Sequence, residues 1–375
     1  MNTLNRRELL KFAGLATAST LPATYLAGQE TGEHGRESID NLYVDDRLDE
    51  ACDRAIEYLI NNQRIGNHLA AGSITDRGHE IALTSLAIMA MASLGIEPSQ
   101  PNRQGRAMRA ALDFVLRDHH QTEAGYLGQH DGSRMYGHGI TTLMLTELLG
   151  MGATEKQNQL IYERLERAIR LILASQAVKK MRRLQGGWRY TPGSSESDLS
   201  VSIWQLMALR SAKNDGMDVP TEAIDSALDY LRNSFTGRFS GQGTNAGGFS
   251  YTPGQTHPSF TMTAAGLLAM QVCGQYDASE VSAAANWLMQ HRPKVSDRYL
   301  FYGLYYYAQG MYQAGGKYND EARTVVASLL LPRQRRDGSW MSPSGEERSQ
   351  GMVYSTSLAV LSLSVRYHYL PIYQR

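Results

Sequence analysis

Imidazoles and carboxylates recur along this chain at the starts of apolar stretches, where a general acid or base would need a dry setting. The pairs and singles are His79 with Glu80, His138 inside Met135-Tyr136-Gly137-His138-Gly139, Asp198, and His257 close to Ser259 and Thr261. Together they could serve proton transfer or a His/carboxylate metal site; His79, Glu80 and His138 are the candidates for the latter. Glu80 and Asp198 also have a plainer reading, because helix N-termini favour acidic and hydroxyl side chains whatever the function. Capping explains less for a histidine between two glycines, so His138 is the candidate cavity residue. A second group is aromatic: Tyr302 and Tyr306, four residues apart, share one helix face, and Trp204 belongs to another apolar stretch. Such rings could line a cavity and steady a cation, or fill a core.

Other chemistries are limited by composition. Only two cysteines occur, Cys52 and Cys273, so no multi-thiolate zinc site or disulfide framework exists, although one bridge could form after export. No cofactor is implied. The 37 basic residues balance the 37 acidic ones, and no basic stripe offers itself to nucleic acid or anionic lipid. Residues 1–30 carry Asn5-Arg6-Arg7-Glu8-Leu9-Leu10-Lys11 and then a weakly apolar Ala/Gly/Thr-rich run, which resembles a twin-arginine export signal. A cut is expected after Ala18 or near Ala27, followed by a linker over 31–47 and a mature chain in the periplasm, envelope or outside the cell. No later segment is apolar for the length a membrane span needs.

The candidates are placed by a repeat. From residue 48 the chain alternates an amphipathic helix, a glycine-rich or polar connection, and a more apolar helix ending in glycine. One connection recurs almost literally: Gly186-Gly187-Trp188-Arg189-Tyr190-Thr191-Pro192-Gly193 returns as Gly247-Gly248-Phe249-Ser250-Tyr251-Thr252-Pro253-Gly254. The pattern predicts helix pairs over 48–95, 105–152, 160–216, 221–275, 279–316 and 319–370. First helices with one polar face belong in an outer layer, and second helices apolar all round belong in an inner one. Gly95, Gly150, Gly216, Gly274 and Gly315 read as C-caps. The terminal pairs are as apolar as the central ones, which favours closure of first onto last. The predicted fold is an all-α (α/α)6 toroid over 48–375, with parallel inner helices that bring His79, His138, Asp198, His257 and Tyr302 to one end.

Gln334-x-x-Asp337-Gly338-Ser339-Trp340 matches the Gln/Trp motif of squalene and oxidosqualene cyclases, and Gly187-Trp188, Gly248-Phe249 and Gly125-Tyr126 look like degenerate copies. The chain thus resembles the prenyltransferase and squalene-cyclase repeat families over 48–375. Within them, Met135 to Gly139, Ser197 to Val201, Phe301-Tyr302-Gly303 and Tyr369 to Arg375 are similar to a planctomycete-type group of repeat proteins. Members of that group tend to carry His after Phe-Tyr-Gly, where this chain has Leu304.

The resemblance implies the toroid but not an activity. Class II cyclases carry an Asp-x-Asp-Asp run, and here Asp198 alone keeps an acidic slot, with Ser200 and Val201 at the others. Cys52 and Cys273 sit wrongly for a prenyltransferase zinc ligand, and no thioester Cys-Gly-Glu-Gln run exists. The expectation is a non-catalytic binding toroid whose central cavity, lined by His79, His257, Tyr302, Tyr306 and Trp204, accepts an isoprenoid-like lipid or an extended partner chain. The alternative is an extracytoplasmic enzyme, terpene cyclase-like or a polysaccharide lyase or hydrolase, working through His138, Asp198 and Glu80.

Overall fold

A computed structural model describes residues 34–238, 246–343 and 345–374; the twin-arginine segment expected at 1–30 lies outside the described residues. Chain contacts separate Met1–Arg47 from a compact unit, Leu48–Arg375. Within that second unit, six helix pairs alternate outer and inner. Outer helices are α1 (His34–Asn61), of which the part from Leu48 onward belongs here, α3 (Arg103–Val115), α5 (Glu155–Ala177), α7 (Thr221–Ser234), α9 (Ser279–Gln290) and α11 (Gly316–Leu330). Inner helices are α2 (Glu80–Ala92), α4 (Arg134–Glu147), α6 (Leu199–Asn214), α8 (Phe260–Val272), α10 (Leu300–Ala314) and α13 (Met352–Leu363), with a single-turn α12 (Gly345–Arg348) before the last. The expected all-α class holds, with one short pair of strands added. In the fourth repeat, β1 (Phe235–Arg238) pairs antiparallel with β2 (Ala246–Phe249), so the second Gly-Gly connection is a hairpin.

The hydropathy pattern explains the layering. Every residue of α2 after Glu80 is buried, whereas α3 buries Ala107, Met108, Ala111, Leu112 and Val115, one face at helical spacing. Each inner helix packs on the next, and α13 packs back on α2, which closes the ring. The inner helices run parallel, since starts meet starts and ends meet ends: Gln205 Nε2 donates to Met135 O at 2.8 Å, and Ser211 Oγ donates to Glu147 Oε1 at 2.8 Å. All five C-cap glycines read from the sequence have left-handed φ, between 71° and 83°.

One seam device recurs around the ring. Gln63, Gln121, Gln176 and Gln334 each donate two bonds through Nε2, one to a glycine carbonyl of their own turn and one to the next outer helix, at Ala107 O, Arg164 O, Ala223 O and Ala51 O. One side chain thereby ties the turn to the neighbouring outer helix, using the second lone pair of a carbonyl that the helix already bonds once. The turn glycine lies flat on that helix: a Cβ on Gly338, at φ 88°, would stand 2.1 Å from Arg54 O, so no other residue fits. Because Gln334 reaches Ala51 in the first repeat, the cyclase-like motif is the clasp that shuts the ring. Trp340 is fully buried there and donates to Leu330 O at 2.8 Å.

The ends of the ring differ. Where the inner helices finish, Leu370, Ile372 and Tyr373 of the C-terminal segment are buried. Ile372 N–H donates to Glu147 Oε2 at 3.2 Å, and Tyr373 shares a hydroxyl bond with Tyr305. The segment folds back over this end, whereas the loops leading into the inner helices gather at the other, hereafter the mouth.

Candidate functional site at the inner-helix mouth

Each inner helix needs partners for its first N–H groups, and neighbouring repeats supply most of them. Asp131 from the second repeat accepts from Ile81 and Ala82, Asp76 from the first repeat accepts from Met352 and Val353, and Glu347 from the sixth accepts from Phe301 and Tyr302. Tyr190 O takes the Met135 N–H and Tyr251 O the Leu199 N–H. These acids are therefore spoken for, and they are invisible to local sequence reading because each caps a helix in another repeat.

His138 is fully buried inside α4 and serves the frame. Its Nδ1 accepts the Leu127 N–H at 3.3 Å, which is the bond that Thr84, Ser202, Thr263 and Thr356 hydroxyls make to Ile74, Trp188, Phe249 and Trp340 in the other repeats. Its Nε2 faces Ala168 O of α5 at 3.2 Å and must donate, which fixes the neutral tautomer. Burial pushes its pKa down to about 4. The expected cavity histidine is thus a hydroxyl substitute with both nitrogens used. The same register corrects the weak motif copy in this repeat: Leu127, not Tyr126, occupies the tryptophan position.

Nor do His79, Glu80 and His138 converge as a metal site would require. His79, left-handed at φ 62°, turns its Nδ1 to Asp131 O at 2.9 Å, while Glu80 pairs with Arg64 at 3.6 Å. Among the described residues no group of three His, Cys, Asp or Glu side chains is arranged to hold a metal ion. His257 is exposed, with its ring against Thr256. Cys52 and Cys273 are separate buried thiols, each pushed up to about 12, chiefly by burial.

Tyr302, Tyr306 and Trp204 meet in the ring interior. Trp204 Nε1 on α6 donates to Tyr302 OH on α10 at 2.9 Å, a bond between helices that are not neighbours in the ring, and the Trp204 indole stacks on Tyr305 at 5.7 Å. Tyr306 OH donates to Tyr302 OH, and Tyr302 OH to Ser200 O. All four rings are buried. At this level the expected central cavity is occupied by the protein's own side chains.

Asp198 is different. It caps α6 by accepting from Val201 N–H at 2.9 Å and Ser200 Oγ at 2.6 Å, both on Oδ1. Its Oδ2 is buried, with Arg189 Nε at 3.4 Å as its ion partner and the Tyr251 hydroxyl also interacting with the carboxylate. Burial raises its pKa against those interactions. Three half-buried tyrosines surround it. Tyr136 OH shares a bond with Ser200 Oγ, Tyr190 OH with Tyr251 OH, and Tyr136 stacks on Tyr190 at 6.0 Å. The Arg189 guanidinium lies over Tyr190 at 4.8 Å and Tyr251 at 6.0 Å, and also pairs with Glu196 at 3.4 Å. Burial holds the Tyr136 and Tyr251 phenols well above their ordinary value, so both remain hydroxyl donors.

Only Asp198 of this cluster was singled out from the sequence. The signal for the rest lay in the literal recurrence: Tyr190 and Tyr251 hold the same place in two copies of one octapeptide in adjacent repeats, so ring closure sets them side by side. The arrangement offers aromatic faces, hydroxyl donors and one guanidinium paired with a buried carboxylate.

No protein-family profile matches the chain, and no curated protein matches it in sequence. Solved structures share its fold. An inactive variant of an α-1,6-mannanase from Salegentibacter, in complex with α-1,6-mannotriose, superposes with a TM-score of 0.57 at 8% identity, covering 86% of this chain and 99% of that one. The type II terpene cyclase MstE from Scytonema, with merosterolic acid A, gives a TM-score of 0.53 at 16% identity over 88% and 99%. A protein from Actinoplanes gives 0.51 at 15% over 85% and 98%. The α/α toroid is thereby established independently of the repeat.

Proposed function

We propose that the protein is a binding toroid that holds an extended hydroxylated chain, glycan-like in chemistry, at its mouth and does not turn it over. The observation that carries this reading is the cluster of Tyr136, Tyr190, Tyr251 and Arg189 around Asp198 at the mouth. Tyrosine faces suit the apolar faces of sugar rings, while the carboxylate, guanidinium and phenols suit their hydroxyls. The filled ring centre gives no support to an isoprenoid held at that depth. A mannanase that binds mannotriose on the same fold supports the ligand class by analogy.

Glycoside hydrolysis ordinarily needs two carboxyl groups about 5–9.5 Å apart across the bond. Here Asp76, Asp131 and Glu347 are committed to helix caps, and Glu196, like Asp198, is paired with Arg189. Calorimetric titration with mannotriose and other oligosaccharides, alongside prenyl diphosphates, tests the reading. Glycan binding weakened about tenfold or more in Tyr190→Ala and Tyr251→Ala is the expected result. Binding only by prenyl diphosphates overturns the ligand class, and release of reducing ends overturns the non-catalytic part.

One observation favours an enzymatic reading second. A fully buried carboxyl whose pKa is raised by burial is suited to donate a proton, and Asp198 is one. Turnover of a glycan or a prenyl substrate, abolished in Asp198→Asn with folding kept, would establish it. The proposal also includes export, on the strength of Asn5–Lys11, and kinship with the planctomycete-type repeat proteins. Fusion of residues 1–47 to a reporter that is active only after twin-arginine transport tests the export.

A further inference from the structure

The charge balance of the whole chain hides an unevenness that ring topology creates. Chain direction sends every connection from an outer to an inner helix to the mouth face, and every connection from an inner to the next outer helix to the opposite face. The turns 93–102, 148–154, 215–220, 273–278 and 315 on the opposite face contain Glu97, Asp215, Asp218 and Asp277 and no lysine or arginine of their own, while Arg106, Arg109 and Lys213 from the flanking helices bond their carbonyls and Arg366 of the C-terminal segment pairs with Asp49. On the mouth face, residues 178–198 alone hold five basic residues against two acidic ones.

Among the described residues, five of the seven exposed large apolar side chains stand on the mouth face; the other two, Tyr162 and Tyr369, lie on α5 and in the C-terminal segment. Ile65, Leu69, Met181, Tyr299 and Met341 are between 38% and 88% exposed, and all five belong to mouth-face loops, from the first, third, fifth and sixth repeats. They stand singly among cations. Met181 lies between exposed Lys179 and exposed Arg182 and Arg183, Ile65 follows Arg64, and the Arg298 guanidinium covers the Tyr299 ring at 5.5 Å. A protein partner would call for a contiguous apolar patch with a desolvated centre. Arg64 and Arg298 are paired with Glu80 and Glu346, so the cations offered to a ligand gather around Met181; apolar side chains spaced around a rim beside such a cationic cluster suit a flat interface with hydrocarbon below and phosphates above.

We propose that the mouth face docks on the surface of an anionic lipid bilayer, with Ile65, Leu69 and Met181 entering the interface and Lys179, Arg182 and Arg183 meeting headgroup phosphates. No described helix is long and apolar enough to cross a membrane, and docking of this kind needs none. A docked ring presents its mouth to the bilayer, so whatever reaches Asp198 arrives at the membrane surface. This goes beyond the binding reading and does not depend on it.

Co-sedimentation of the purified chain with phosphatidylcholine vesicles, with and without phosphatidylglycerol, tests the proposal. Binding is expected with phosphatidylglycerol and is expected to weaken steeply with salt. Combined replacement Lys179→Ala, Arg182→Ala and Arg183→Ala should weaken it about a hundredfold. Ile65→Ser with Leu69→Ser should weaken it about tenfold while leaving the salt dependence unchanged. Tyr369→Ser, also exposed but outside the mouth loops, should bind as the parent does. All these positions are exposed, so circular dichroism should show retained folding. A parent chain that stays in the supernatant, equal binding to neutral and anionic vesicles, retention of single-stranded nucleic acid with no vesicle binding, or undiminished binding by the Ile65/Leu69 variant each overturns it.

Discussion

The seam of the second repeat and the mouth of the third each bury a titratable side chain near the start of an inner helix, and the two are spent differently. At the seam, both His138 nitrogens have backbone partners, and four other repeats place a hydroxyl at the same post. At the mouth, one Asp198 oxygen caps a helix and the other lies beside Arg189 and three tyrosines. Sequence type alone would rank the histidine as the more reactive of the pair. Counting partners reverses that order, because a buried polar group whose nitrogens are both engaged by backbone is framework, whereas Asp198 Oδ2 is held only by the side chains of Arg189 and Tyr251.

The comparison breaks most visibly at the seam. Trp340→Ala, which empties a fully buried site at the clasp, should cost about 3–5 kcal/mol in chemical denaturation and lower the melting temperature more than any mouth substitution. His138→Ala should cost about 2–4 kcal/mol by leaving Leu127 N–H and Ala168 O without partners. His138→Thr should recover part of this, since a hydroxyl makes the Leu127 bond elsewhere in the ring. A His138→Ala chain that kept its stability but lost ligand binding would reverse the assignment.

Proton linkage sharpens the same point. His138 titrates near 4 in the fold against an ordinary 6.5, and His120 near 3, both chiefly through burial. The unfolded chain takes up these protons first, so stability is complete above pH 6.5 and falls as pH drops toward 4. For His138 alone the loss should reach about 3 kcal/mol, and denaturation across that range should show a shallower slope in His138→Thr. At the mouth, Asp198→Asn keeps an N-cap acceptor and should move stability by no more than about 1 kcal/mol while weakening ligand binding about tenfold. The smallest stability effect belongs to Tyr190→Ala, a half-buried ring, at no more than about 1 kcal/mol, with the loss again read in titration calorimetry.

Much of the frame is legible before any coordinates, because it rests on local signals. Amphipathic against uniformly apolar periodicity separates α3 from α2, and the glycines that end α2, α4, α6, α8 and α10 fall where left-handed caps were read. The Gln334 to Trp340 motif announces the clasp. Its relatives at Gln63, Gln121 and Gln176 are less visible, because the spacing from glutamine to turn glycine varies from four residues to ten while the bond pattern stays fixed.

What the sequence by itself determined, then, is everything with a period: six helix pairs, their inner and outer layers, their order, and which residues start an inner helix. What only the tertiary structure decided is everything that crosses a seam. Asp76, Asp131 and Glu347 cap helices in other repeats, Trp204 bonds a tyrosine two repeats away, and the exposed cations of residues 179–183 come to the mouth face beside Met181. The physical reason is that helix propensity and amphipathicity act over a few residues, whereas the partners of a buried polar atom are chosen by ring closure, which brings together residues up to 283 positions apart, as between Gln334 and Ala51.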